Sequence, residues 1–170
     1  MKERATDFFG YWLFYAQRSW AYAFSGALKT WCQEHQKPYV ITPPQWGILS
    51  CLHEEDGLMI GVVSRRRAID APTVTGIVKR LEQAGLVERV HDRGDRRVVK
   101  VYLTEEGKDL MRFLPAVVET FSQTALQGIS EAKQEEMCLL LQKTIAKLAA
   151  IGPGTGDRFG LLPDYLMYEE

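Results

Sequence analysis

The stretch from Asp70 to Leu103 constrains the fold more than any other part of this chain. Asp70 is a good N-cap and Pro72 suits a first helical turn. Val74, Ile77, Val78 and Leu81 then recur at helical spacing until Gly85 stops the run. Leu86 to Val90 is a short β-rich run. A polar loop from His91 to Arg97, holding Gly94, separates it from Val98 to Leu103, where Val99, Val101 and Leu103 alternate against Val98, Lys100 and Tyr102. Period-two runs flanking such a loop predict a β-hairpin, and the loop becomes a wing. A short helix is expected over Met59 to Ala68, so two short helices joined by a tight turn lead into the hairpin, the geometry of a helix-turn-helix.

Long helices are expected on both sides. From Asp7 to about Gln36 apolar residues recur at Phe9, Leu13, Ala16, Trp20, Ala23, Ala27 and Trp31, and a second row of Phe8, Trp12, Tyr15 and Tyr22 widens the stripe beyond one partner's needs. Thr42-Pro-Pro-Gln45 carries a Thr cap, a proline at the first position and a glutamine to close a capping box. The helix it starts runs through Trp46, Leu49 and Leu52 to about Glu55. Thr104 caps another long helix, with Leu110, Leu114, Val117, Phe121 and Ala125 as its stripe and Pro115 expected to kink it. Ser130 caps the last, with Met137, Leu141, Thr144, Leu148 and Ile151 on one face. The fold expected is mainly α: a winged helix-turn-helix over 42–103 with a two-stranded β wing, and long helices at 1–41 and 104–151 forming a dimerisation frame. A glycine-rich linker at 152–156 leads into a tail, to residue 170, too apolar for ordinary disorder.

Charge separates the winged module from its frame. The whole chain carries a formal net charge of -1, but between Gly57 and Leu103 ten Lys or Arg face five acids, which is +5 there and -6 elsewhere. A basic module in an acidic frame is what a surface meeting phosphates requires. No apolar run approaches the roughly 20 residues that span a bilayer, and no export signal is visible near the first residues. Cys32, Cys51 and Cys138 are too few and odd in number for a disulfide scaffold, so a cytoplasmic location is expected.

The residues PTVTGIVKRLEQAGLVERVHDRGDRRVVKVYLTEEG, Pro72 to Gly107, together resemble the MarR family of bacterial regulators. The family's T-V-T recognition helix, D-x-R wing and L-T-x-x-G helix start appear here in order as Thr73-Val-Thr75, Asp95-Arg96-Arg97 and Leu103 to Gly107. The resemblance implies a transcription regulator, more often a repressor, that binds an inverted repeat of duplex DNA as a homodimer and responds to a small aromatic effector. Two positions depart from the pattern. Gly76 stands where an Arg is common, and Arg67 where a buried Leu is usual.

Several residues acquire expected roles. Thr73, Thr75 and Lys79 fall on the face opposite Val74, Val78 and Leu81 and are assigned to the major groove, with Arg80 on a phosphate. In the wing, Asp95 is expected to hold Arg97 extended toward a minor groove, beside Arg96. Arg65, Arg66 and Arg67 fan around their helix and cannot all face DNA, so Arg66 is expected to reach a phosphate. Trp12, Tyr15 and Trp46 are candidates for an effector pocket, although core packing and a dimer interface explain the same aromatic stripe. Cys32 and His35, three apart, admit a thiol switch or a metal. A metal site, however, needs three or four ligands, and no second His pair follows. No cofactor is expected, and no Ser-His-Asp set or phosphate-binding glycine loop suggests an enzyme. Two rivals remain: a redox-sensing regulator using Cys32, and a winged module that binds protein instead of DNA.

Overall fold

The computed structural model describes residues 4–91 and 98–150. Seven α-helices and a three-stranded sheet occur among them: α1 (Phe9–Glu34), α2 (Pro43–Glu54), β1 (Leu58–Met59), α3 (Ile60–Arg67), α4 (Ala71–Gln83), β2 (Val87–His91), β3 (Val99–Leu103), α5 (Glu105–Met111), α6 (Leu114–Ala125) and α7 (Glu131–Ala150). The antiparallel sheet has the order β1-β3-β2, so the hairpin expected at 86–103 gains a third strand. Leu58 faces Val101 and Met59 faces Lys100 across that edge. Met59 therefore belongs to a strand, and the helix expected from it starts one residue later.

Local chemistry sets the element ends. Gln45 closes the box at the start of α2, its Oε1 accepting from both the N–H and the hydroxyl of Thr42 at 2.9 Å. At the end of α4, Gly85 takes φ +73°, its N–H donates to the Glu82 carbonyl, and the Leu86 N–H donates to the Leu81 carbonyl. This pair of bonds is the Schellman stop, which a glycine in the left-handed region allows. The same pattern ends α3 without glycine: Ala68 sits at φ 51° while Ile69 bonds back to Ser64. The helix expected to run from Thr104 with a kink is instead two. Arg112 and Phe113 bond back to Asp109 and Leu110, which tightens the last turn of α5, and Pro115 falls in the first turn of α6, where its missing N–H costs nothing.

One hydrophobic core runs through the winged module and into the frame. Ile48, Leu49, Leu52, Val63, Val74, Val78, Leu81, Leu86 and Val101 are buried together with Leu28 and Cys32 of α1 and Leu110, Met111 and Leu114 of α5 and α6. Gly107 marks the closest approach: a Cβ there would lie 2.1 Å from the Leu86 carbonyl oxygen. Thr104 locks the same junction, its hydroxyl donating to the Gly85 carbonyl at 2.6 Å and accepting from the Gly107 N–H at 3.1 Å.

The outer parts of the frame are covered differently. Only the second half of α1 enters the core, through Phe24, Leu28 and Cys32, while Trp12 is 58% and Tyr22 84% exposed. Trp20 and Phe24 meet Phe121 of α6 at ring separations of 5.0 and 5.2 Å. Along α7, Met137, Leu139, Leu140, Leu141, Ile145 and Leu148 are all exposed in the single protomer. In proteins most helical stability comes from packing an apolar face against the rest of the structure.

Candidate nucleic-acid interface

The apolar residues Val74, Ile77, Val78 and Leu81 seat α4 in the core, which turns Thr73, Thr75, Lys79 and Arg80 to solvent. Asp70 begins the helix. Its Oδ1 accepts from the Thr73 N–H at 2.9 Å and its Oδ2 from the Thr73 hydroxyl at 2.7 Å. The Thr73 side chain, then its backbone N–H, holds the Asp70 carboxyl below its ordinary range, so it is ionised and can only accept. One turn on, the Thr75 hydroxyl donates to the Ala71 carbonyl at 2.8 Å. Lys79 and Arg80 make no ion pair among the described residues, so both cations remain available for an anionic partner.

Gly76 lies in the middle of this exposed face. At about 100° per residue it stands about 60° from Lys79, and the two straddle the line opposite the buried stripe. A Cβ there would meet nothing within 4 Å.

The three arginines of α3 diverge as their spacing requires. Arg66 is ion-paired with Glu55 just beyond α2, and that carboxylate raises its affinity for the proton. Its expected phosphate contact would therefore compete with an internal partner eleven residues away. Arg67 lays its guanidinium over Gly47 of α2, where a Cβ would be 2.7 Å from Nη2. There it also counters the rise that burial imposes on the Cys51 thiol. A glycine beneath it explains how a cation occupies a position at which apolar packing is usual. Arg65 lines a shallow groove of about 320 Å³ with Met59, Ile60 and Val99.

Two charged clasps brace the interface, and sequence reasoning missed both. Arg89 on β2 donates from Nε and Nη2 to Glu82 on α4, at 3.0 and 2.6 Å, so this cation ties the hairpin to the helix. Asp56, two residues beyond α2, accepts from the Leu103 N–H at 2.9 Å and so anchors β3. At the frame side, Glu106 accepts from Lys37 and from Tyr39, each at 2.9 Å. Lys37 first and Tyr39 second keep the Glu106 carboxyl below its usual value. Glutamate seven residues before arginine across a glycine turn was the available signal for the first clasp.

The wing tip, with Asp95, Arg96 and Arg97, lies outside the described residues, as does the tail from residue 151. The expected pocket residues Trp12, Tyr15 and Trp46 line neither the shallow groove beside Arg65 nor the wider one between α1 and α6. Trp12 donates from Nε1 to the Thr6 carbonyl, Tyr15 meets Tyr11 with tilted rings 4.7 Å apart, and Trp46 packs half-buried against the core. The larger open groove, about 670 Å³, instead lies between α1 and α6, lined by Trp31, Phe113, Val117 and Phe121 with Glu34 and Arg112 at its edge. Cys32 is fully buried, whereas His35 stacks on Trp31 at the surface, so the two do not form a shared site. Among the described residues no group of three potential metal ligands occurs, and no helix is long and apolar enough to cross a membrane.

Comparison with known proteins agrees with this geometry. The MarR family model matches residues 41–99. The HTH-type transcriptional regulator YsmB of Bacillus subtilis is 36% identical over 110 residues, which is 65% of this chain and 73% of that protein. The homoprotocatechuate degradative operon repressor of Escherichia coli is 32% identical over 65% of this chain and 74% of its own length. Among solved structures, Bordetella bronchiseptica BpsR, whose DNA binding is regulated by 6-hydroxynicotinic acid, superposes with a TM-score of 0.69 at 27% identity, covering 79% of this chain and 96% of that one. The capped helix with its polar outer face, the hairpin behind it and these relatives converge on one conclusion: the chain belongs to the MarR family of DNA-binding transcriptional regulators.

Proposed function

We propose that the protein represses transcription by seating a homodimer on an inverted repeat of duplex DNA, and that a small aromatic acid releases it. The observation that carries this reading is a solvent-facing recognition helix in the same chain as α7 and the first half of α1, where large apolar side chains such as Phe9, Trp12, Leu140 and Leu148 stand exposed. A two-fold axis through those helices buries them and places two copies of α4 in successive major grooves about 34 Å apart. Within this reading Thr73, Thr75 and Lys79 meet the major groove and Arg80 a phosphate, while Arg96 and Arg97, with Asp95, enter the minor groove. Arg66 reaches its phosphate after exchanging Glu55 for it.

The relative named as an operon repressor supports repression, and BpsR's regulation by 6-hydroxynicotinic acid supports an aromatic acid as the effector. The apolar groove between α1 and α6 suits such a ligand, with Arg112 to exchange its ion pair with Asp109 for the ligand's carboxylate. Trp12, Tyr15 and Trp46 contribute only if the dimer brings them to the ligand. Release then follows if the ligand binds better to a dimer whose two helices are wrongly spaced for DNA.

Sedimentation equilibrium should give twice the 19.4 kDa chain mass. A fluorescence titration of the DNA complex with aromatic acids should then show release at fixed salt. A monomer at micromolar concentration would contradict the first half of the proposal, and DNA binding indifferent to every acid tried, or release that persists unchanged in Arg112→Ala, would contradict the second.

A further inference from the structure

Resting on the DNA-binding reading of α4, we infer that Thr73 and Thr75 read thymine methyl groups and are not hydrogen-bond donors to DNA, so that they select A·T pairs. Each threonine hydroxyl has one proton, and in both residues it is already committed. Thr73 gives its proton to the Asp70 carboxylate at 2.7 Å, and Thr75 gives its proton to the Ala71 carbonyl at 2.8 Å. Neither acceptor can act as a donor, so the direction of each bond is fixed. Each side chain then offers a methyl group and oxygen lone pairs to whatever approaches the exposed face.

That combination excludes most of what a duplex displays. Phosphate oxygens, guanine N7 and O6, and thymine O4 are acceptors, and they find no proton on these two side chains. The groups that fit are the amino protons of adenine and cytosine and the C5-methyl of thymine. A·T is the one pair that shows an amino donor and a methyl together in the major groove, whereas G·C shows the donor without the methyl. Gly76 between Thr75 and Lys79 strengthens the effect, because no side chain beyond the backbone holds the helix away from the bases there. Asp70 acts as a positioning residue: it fixes the Thr73 hydroxyl without touching DNA itself.

The test pairs methyl deletion on both partners. The full chain is first used to select bound duplexes from a random-sequence library, and each thymine of the selected duplex is then replaced singly by uracil, which removes only the C5-methyl. Wild type should lose about fourfold in affinity at one or two positions of each half-site, the scale of one buried methyl. Thr73→Ser or Thr75→Ser, which removes one methyl from each protomer of the dimer, should lose about fifteenfold on the thymine duplex and be less sensitive to uracil at the matching position. The Thr→Val variants, which keep the shape and drop the hydroxyl, should bind more tightly than the Thr→Ser variants. For Thr73, Asp70→Ala should mimic part of the serine effect by freeing the rotamer, with the uracil-sensitive position moved or blurred.

If selection yields no sequence and wild type shifts no duplex, the DNA-binding reading itself fails and takes this inference with it. If wild type binds its selected duplex but is indifferent to uracil everywhere, or serine variants match wild type while valine variants lose binding, only the methyl readout is overturned.

Discussion

Gly76 stands at the centre of the exposed face of α4, and replacing it tests both the packing and the interface. Glycine inside a helix costs about 0.8–1 kcal/mol relative to alanine, and arginine is close to alanine on that scale. With nothing within 4 Å of a Cβ there, neither substitution meets a clash. Gly76→Ala and Gly76→Arg should therefore each stabilise the fold by about 0.5–1 kcal/mol, a rise of roughly 1–4 °C in melting temperature for a chain of this size. Their effects on DNA should differ. Arginine beside Lys79 adds one cation per protomer to the surface facing the duplex, so a dimer gains two. One good arginine contact is worth about 1–3 kcal/mol to a base, and even a phosphate contact steepens the salt dependence by about 0.9 in log K against log salt per charge. The assay is thermal unfolding beside fluorescence anisotropy on a labelled duplex at several salt concentrations. Alanine should raise the melting temperature and leave the salt slope alone, whereas arginine should raise both. A fall in melting temperature for either variant would refute the open packing at Gly76. An arginine variant with unchanged slope would refute the placement of this face on DNA.

Other substitutions probe the scaffold. Gly107→Ala should destabilise by about 3 kcal/mol, because its Cβ meets the rigid Leu86 carbonyl at 2.1 Å, and urea unfolding would measure it. Ala68→Gly should stabilise by about 0.5–1 kcal/mol in the same assay, since it removes the penalty of a Cβ at φ 51° in the turn before α4. Glu106 titrates below its ordinary 4.5, so its contribution to stability is complete above that value and disappears as pH falls through the lower folded value. Wild type should accordingly lose stability on acidification through and below pH 4.5 more steeply than Glu106→Gln, as followed by unfolding midpoints across pH.

The parts of the fold legible in the sequence are those fixed by local chemistry. Asp70 with Pro72, Thr42 with Gln45, and Gly85 each satisfy backbone groups within a few residues, and their helices begin or end within a residue or two of where they were expected. Strand β1 escaped because two residues have no period, and its existence depends on pairing with Val101 and Lys100 far along the chain. The helix after Thr104 breaks instead of bending because Pro115 can open a new helix as readily as kink an old one.

The candidate site divides the same way. The exposure of Thr73, Thr75, Lys79 and Arg80 follows from helical phase once the apolar stripe is recognised. The pairing of Arg66 with Glu55 and the seat of Arg67 on Gly47 depend on how α2 and α3 cross, which no local pattern encodes. The direction of the two threonine hydroxyls needed rotamers, although both acceptors lie within four residues. The aromatic stripe of α1 was visible as too wide for one partner, and its second row, Phe8, Trp12, Tyr15 and Tyr22, stands exposed.

The central claim, that this chain grips duplex DNA through the outer face of α4, is tested most directly by measuring affinity for a selected duplex against salt, for wild type and for Lys79→Ala. The account predicts log K falling linearly with log salt for wild type, and a slope shallower by about one to two in the variant, since each protomer loses one cation from the interface. An affinity insensitive to salt, or a Lys79→Ala slope identical to wild type, would contradict it.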